Sequence, residues 1–156
     1  MKRTDFSIDW LFAACAPDTE LLPWNAQFTP VDLPHDWQIR HADDLYRDGT
    51  LFYRKYFFVT DVPGTRRMLW FGGAYMDTTV FVNGTEVGQW KYGSTPFWFD
   101  ITDALPEGQN EVLVRCNLRH PNSRWYSGAG LYRNLVPLAA PDLHLMPDGP
   151  VSHTHL

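Results

Sequence analysis

Apolar and polar residues alternate along most of the chain, the signature of half-buried strands. In "FSIDWLF" the spacing puts Phe6, Ile8, Trp10 and Phe12 on one face. In "YRKYFFVTD" it sets Tyr53, Phe57 and Val59 on one side and Arg54 and Thr60 on the other. The runs "RRMLWFGG", "MDTTVFVNG", "TEVGQWKYG", "PFWFDIT" and "EVLVRCNL" continue the pattern, rich in β-branched and aromatic residues and bounded by Gly, Pro, Asn or Asp. Asn83-Gly84 in "VFVNGTEVGQW" suits a type I′ turn between antiparallel strands, because both residues tolerate positive φ. "HADDLYRDG" could form one helical turn, but no stretch holds apolar residues at 3.6 spacing. Many short strands with regular turn signals predict one all-β domain, an antiparallel β-sandwich. The pattern fades at Pro147, so the tail reads as leading into a further segment.

Length and composition refine this. A chain of 156 residues suits one domain, burying roughly 68–70% of its unfolded surface. Its 7 Trp, 7 Tyr and 10 Phe exceed the usual needs of such a core, so part of this set is expected at a surface that meets a ligand or another domain. The formal charge of -5 and the lack of a basic run argue against a nucleic-acid partner. Arg66-Arg67, the one notable basic pair, is expected in a solvated hairpin turn. No apolar leader or stretch of membrane-spanning length is present, so the default expectation is a cytoplasmic protein with no membrane partner.

Candidate chemistry is sparse. Cys15 and Cys116 are too far apart in sequence for a zinc motif or a disulfide framework, and Cys116, in step with Val112 and Val114, reads as core. His153 and His155 share a face if extended, but two ligands make a poor zinc site, so no metal is expected. "NGT" at Asn83 matches a glycosylation acceptor, yet the tight turn already accounts for both Asn and Gly. No P-loop, dinucleotide, G-x-S-x-G or H-E-x-x-H pattern occurs, so no cofactor is expected. Asp36, Asp43, Asp44, Asp48, Asp77, Asp100 and Asp103 lie near turns or strand ends, where capping explains most of them. Two stretches resist that explanation. "LPHDWQIRHADDLYRDGTLFYRKYF" sets Pro34, His35, Asp36 and Trp37 before a polar loop and a strong strand, with the three residues 35–37 expected to fix the loop and Asp36 to cap a turn. "SRWYSGAGLYRN", residues 123–134, holds two Arg, two Tyr, one Trp and two Gly with no acid, a loop suited to holding a ligand and not to cutting it.

Together these stretches resemble the N-terminal sugar-binding domain of family 2 glycoside hydrolases, especially its β-galactosidase members. The resemblance runs from about Trp10 to about Leu138 and is carried by "LPHDW" at 33–37, "GTLFYRKYF" at 49–57, "FGGAYMDTTVFVNGTEVGQWKYGSTPFWFDIT" at 71–102 and "NSRWYSGAGLYRNL" at 122–135. It implies a galactose-binding-domain-like jelly-roll over residues 1–140, with 141–156 leading to an immunoglobulin-like domain and then a TIM barrel. The family's acid/base and nucleophile are both glutamates on that barrel, which needs about 250 residues and cannot lie here. The resemblance thus implies a chain that is inactive alone and has no catalytic residue. Its loops would complete the pocket for a β-galactoside together with the missing catalytic domain. By position, Asp48 in "LYRDG" matches a loop that gives the family's sugar site a polar side chain, and Arg124 and Trp125 match a second such loop. Where some relatives have an acid near Arg124, this sequence has none. Asp48 would accept hydrogen bonds from hydroxyls, Arg124 would donate them, and Trp125 would cover the C–H face of a pyranose. The bland alternative makes Trp125 and Tyr126 interdomain packing and Arg124 a structural ion-pair partner. Two other functions fit the sandwich: an autonomous carbohydrate-binding module, and a structural module for interdomain contact or a homo-oligomer. The choice among galactoside, glucuronide and mannoside stays open at this level.

Overall fold

The computed structural model describes residues 2–3, 5–39, 47–60, 63–119 and 128–141. Among these described residues the ten strands are β1 (Lys2–Arg3), β2 (Trp10–Cys15), β3 (Thr29–Val31), β4 (Gly49–Val59), β5 (Thr65–Phe71), β6 (Thr78–Val82), β7 (Thr85–Trp90), β8 (Phe97–Asp100), β9 (Gly108–Leu118) and β10 (Leu135–Pro141). A short 3-10 turn covers Thr102–Ala104. All strand pairs are antiparallel. One sheet has four strands in the order β1-β10-β5-β8, the other six in the order β3-β2-β4-β9-β6-β7. This is the antiparallel β-sandwich expected from the alternation.

Strand β9 shows why the sheets face each other. Asn110, Val112, Val114, Cys116 and Leu118 are buried, while Glu111, Leu113, Arg115 and Asn117 between them are half-buried on the outward face. On β4 the inward set includes Leu51 and Tyr53, both fully buried. These residues meet Leu69, Phe71, Phe97 and Leu135 of the four-stranded sheet in one core. Phe71 and Phe97 stack with ring centroids 4.5 Å apart. Trp10, fully buried, turns its indole N–H to the Phe6 carbonyl at 2.7 Å, so its one polar atom is satisfied. Burial pushes the Cys116 thiol up to about 12, against a weaker opposing effect of its 3.6 Å contact with the Thr78 hydroxyl.

The Asn83-Gly84 turn is as the sequence predicts, with φ of 51° and 82°. The Asn83 side chain is fully engaged: its amide donates to the Ala104 carbonyl (2.9 Å) and to Asn110 Oδ1 (2.7 Å), and its Oδ1 accepts from the Glu111 N–H (2.9 Å).

Three expectations change. Arg66 and Arg67 are not in a turn but within β5, half-buried, where Arg66 pairs with Asp100 and Arg67 donates to the Thr60 carbonyl at 2.9 Å. Cross-strand partners, invisible in a local reading, keep two adjacent cations in a sheet. Ile8 leaves the face shared by Phe6, Trp10 and Phe12 and is 46% exposed. Asp9, next to it, takes φ of 59° and breaks the period-2 pattern. In its place Lys55 reaches in from β4, donating to the Ile8 carbonyl at 2.6 Å beside the Phe6 ring. Burial pulls the Lys55 pKa down, and the nearby Asp9, Asp5 and Asp32 oppose that shift. The third change is β10, which the sequence hides because Pro137 and Pro141 lack the N–H of a ladder donor. Pro137 is paired with Leu69 on one side, while β1 reaches only Leu138 and Ala139 on the other.

Candidate functional site

Strands β4 and β9 end together, with Gly49 opposite Leu118 and Thr50 opposite Asn117. Segment 40–46 lies just before this end and 120–127 just after it in sequence. Asp48 sits here, and Arg119 donates to its Oδ2 at 3.3 Å. The same guanidinium pairs with Asp18, to whose Oδ1 its Nε donates at 3.2 Å. Asp18 takes φ of 61° in the "APDT" turn, and this presents both its N–H and its carboxylate to Asn117. The Asn117 amide donates to Asp18 Oδ1 at 2.8 Å, and its Oδ1 accepts from the Asp18 N–H (3.1 Å) and the Thr50 hydroxyl (3.1 Å). Thr50 Oγ1 in turn accepts from the Thr19 N–H at 3.0 Å. The side chains of Asp18, Arg119 and Asp48 remain 56%, 49% and 31% exposed. The geometry holds two carboxylates and one guanidinium at the surface with their acceptor and donor atoms arranged. Such a group suits hydrogen bonding to hydroxyls, and half-exposed pairs of this kind add at most about 1 kcal/mol to folding.

A second group of residues lies close by and bonds largely within itself. The His35 N–H donates to the Leu131 carbonyl (2.8 Å) and the Trp37 N–H to the Ala129 carbonyl (3.2 Å). Gly130 exchanges two backbone bonds with Tyr75, at 2.7 and 2.9 Å. His35 Nδ1 and the Tyr53 hydroxyl share a hydrogen bond of 2.8 Å in the interior. Gly130 has φ of 87°, and a Cβ there would stand 2.1 Å from the Tyr53 hydroxyl, so only glycine fits. Asp36 caps the turn as expected, accepting from the N–H groups of Gln38 (3.0 Å) and Ile39 (3.3 Å). The Trp37 ring packs on Gly49 and under the Arg47 guanidinium, 5.1 Å from its centroid, and the buried Gln38 donates to the Arg47 carbonyl at 2.6 Å. The turn at 36–38 therefore clamps the backbone that carries Asp48.

Of the three residues predicted to touch sugar, Asp48 is seen, and it is half-exposed at a sheet end. Arg124 and Trp125 lie outside the described residues, as do His153 and His155. Asp18, Thr50, Asn117 and Arg119 were missed. Thr50 and Asn117 stand on the outward side of their strands, a clue available from period 2, but the link to Asp18 spans about a hundred positions and leaves no local signal. A cleft of about 830 Å³ opens elsewhere, beside Asp9, Val31, Asp32, His35, Asp36 and Tyr132, and Asp48 does not line it. Among the described residues no group of three His, Cys, Asp or Glu could hold a metal ion, and no helix is long and apolar enough to cross a membrane.

No protein-family model matches the chain. It is 36% identical over 153 residues to β-galactosidase BoGH2A of Bacteroides ovatus, covering 86% of this chain and 18% of that protein. It is 31% identical over 161 residues to a putative β-glucuronidase of Formosa agariphila, covering 94% of this chain and 16% of the relative. A crystal structure of a glycosyl hydrolase family 2 member from Bacteroides cellulosilyticus superposes with a TM-score of 0.75 at 27% identity, covering 90% of this chain and 21% of that one. The chain thus spans less than a fifth of the length of the two curated relatives. Sequence and fold agree, and the chain belongs to glycoside hydrolase family 2 as a β-sandwich domain of the N-terminal type.

Proposed function

We propose that this chain is a non-catalytic, sugar-binding jelly-roll domain that completes the substrate pocket of a β-galactosidase-like enzyme. The bond-breaking glutamates belong to a TIM barrel outside these residues, and the parent reaction is retaining hydrolysis of a terminal β-linked galactose. Residues 1–140 form the domain and 141–156 lead toward the next one. Asp48 is the hydroxyl acceptor, with Arg124 and Trp125 as the donor and the ring that covers the sugar.

The observation that carries the reading is the Asp18–Arg119–Asp48 network at the sheet end bordered by both family-like loops. Carboxylate oxygens held at the surface suit acceptance of hydrogen bonds from sugar hydroxyls. The similarity to the β-galactosidase of Bacteroides ovatus, 36% identical over 86% of this chain, favours galactoside over glucuronide. The free thiols Cys15 and Cys116 suit a reducing, cytoplasmic setting. In the test, the purified 156-residue chain is incubated with nitrophenyl β-galactoside and nitrophenyl β-glucuronide. No turnover of either is expected, and hydrolysis that tracks with the folded chain refutes the non-catalytic role.

A further inference from the structure

The outward face of the six-stranded sheet carries a patch that the sugar site does not use. The β4–β9 register places Arg54 opposite Leu113, Tyr56 opposite Glu111 and Phe58 opposite Gln109, all on the side away from the core. Phe58 is 74% and Tyr56 47% exposed, large values for aromatic rings in mid-sheet. The Arg54 guanidinium is stacked between the Phe28 ring at 4.1 Å and the Tyr56 ring at 5.4 Å. Among the described residues it has no carboxylate partner, and its Nε is buried without an acceptor. Glu111 is its diagonal cross-strand neighbour, about 7–8 Å away by sheet geometry. Its side chain likewise makes no ion pair among the described residues. Among the described residues one patch thus holds a fixed, unpaired cation, an unpaired anion and two exposed rings between strand neighbours.

Such a patch is complementary to itself. A two-fold axis through it would bring Arg54 of one copy to Glu111 of the other and repeat the pair in reverse, with Tyr56 and Leu113 beside the axis and Phe58 at the flank. A foreign partner carrying one sign of charge would satisfy half of the patch. Arginine and aromatic residues of this kind dominate the energetics of protein interfaces. We propose that this face is the isologous interface of a homodimer, held by reciprocal Arg54–Glu111 pairs around Tyr56, with Phe58 at the flank. The inference is independent of the sugar-pocket reading.

Sedimentation equilibrium of the 156-residue chain tests it, with thermal unfolding confirming that each variant folds. Wild type should form dimers. Arg54→Glu and Glu111→Arg, each alone, should raise the dimer Kd about tenfold or more through repulsion. The combined R54E/E111R chain restores both pairs with reversed sign and should return toward the wild-type Kd. Phe58→Ser, at a position too exposed to matter for folding, should weaken dimers as the single charge reversals do. A wild type that stays monomeric at millimolar concentration overturns the proposal. So does a dimer indifferent to these changes, or a combined variant that is weaker than either single one.

Discussion

The internally bonded turn at Gly130 and the open strand end at Asp48 draw on the same two sequence stretches, yet they are built in opposite ways. At Gly130 the polar groups bond to one another: two backbone bonds to Tyr75, the His35–Tyr53 bond, and N–H groups given to Leu131 and Ala129 carbonyls. At Asp48 the bonded atoms belong to side chains that remain one-third to one-half exposed. The first arrangement holds the two loops together. The second leaves charged groups in a fixed geometry where a ligand can reach them. The described glycines and aromatic residues of "SRWYSGAGLYRN" have a structural role. These are Gly128, Gly130 and Tyr132, with Gly128 closely packed on the Tyr132 ring and the Tyr132 hydroxyl donating to the Gly93 carbonyl at 2.7 Å.

Substitutions can break this contrast. The largest expected effect is Gly130→Ala, which combines a positive φ with a methyl group 2.1 Å from the Tyr53 oxygen. It should cost roughly 3 kcal/mol or more, read as a lower urea midpoint, and a loss below 1 kcal/mol would show that the turn is not tightly packed. Tyr53→Phe comes next. It removes the buried bond between the Tyr53 hydroxyl and His35 Nδ1, and a loss of about 1–3 kcal/mol is expected. Unchanged stability would mean that this bond contributes nothing net. Smallest is Arg119→Ala, which removes the guanidinium shared by two partly exposed carboxylates that water can solvate. A change of no more than about 1 kcal/mol is expected, and a much larger one would move the Asp48 end into the structural class.

How much of this could be read from the sequence depends on the range of the interaction involved. Strands β4 to β9 were legible because alternation is local, and Asn83-Gly84 fixed its hairpin through φ preferences of two residues. Pro137 concealed β10, since a proline in a ladder looks like a break until the neighbouring strand is known to be two residues long. Ile8 misled because one left-handed residue, Asp9, breaks the alternation, leaving Ile8 exposed while Phe6 still reaches the core. At the site, Asp48 was found by resemblance and Asp36 by turn chemistry. Arg119, Asp18 and Asn117 were not, because a hydrogen bond between positions 18 and 117 has no trace in either neighbourhood.

The central claim is that the Asp48 end meets sugar while the chemistry lies elsewhere in the parent enzyme. Its most direct test is Asp48→Ala in the full-length protein that carries this chain, with KM and kcat measured on a nitrophenyl β-galactoside alongside the unfolding temperature. Loss of a hydrogen bond to a charged acceptor should raise KM roughly tenfold or more while leaving the unfolding temperature almost unchanged. An unaltered KM, with the variant folded, would contradict the account.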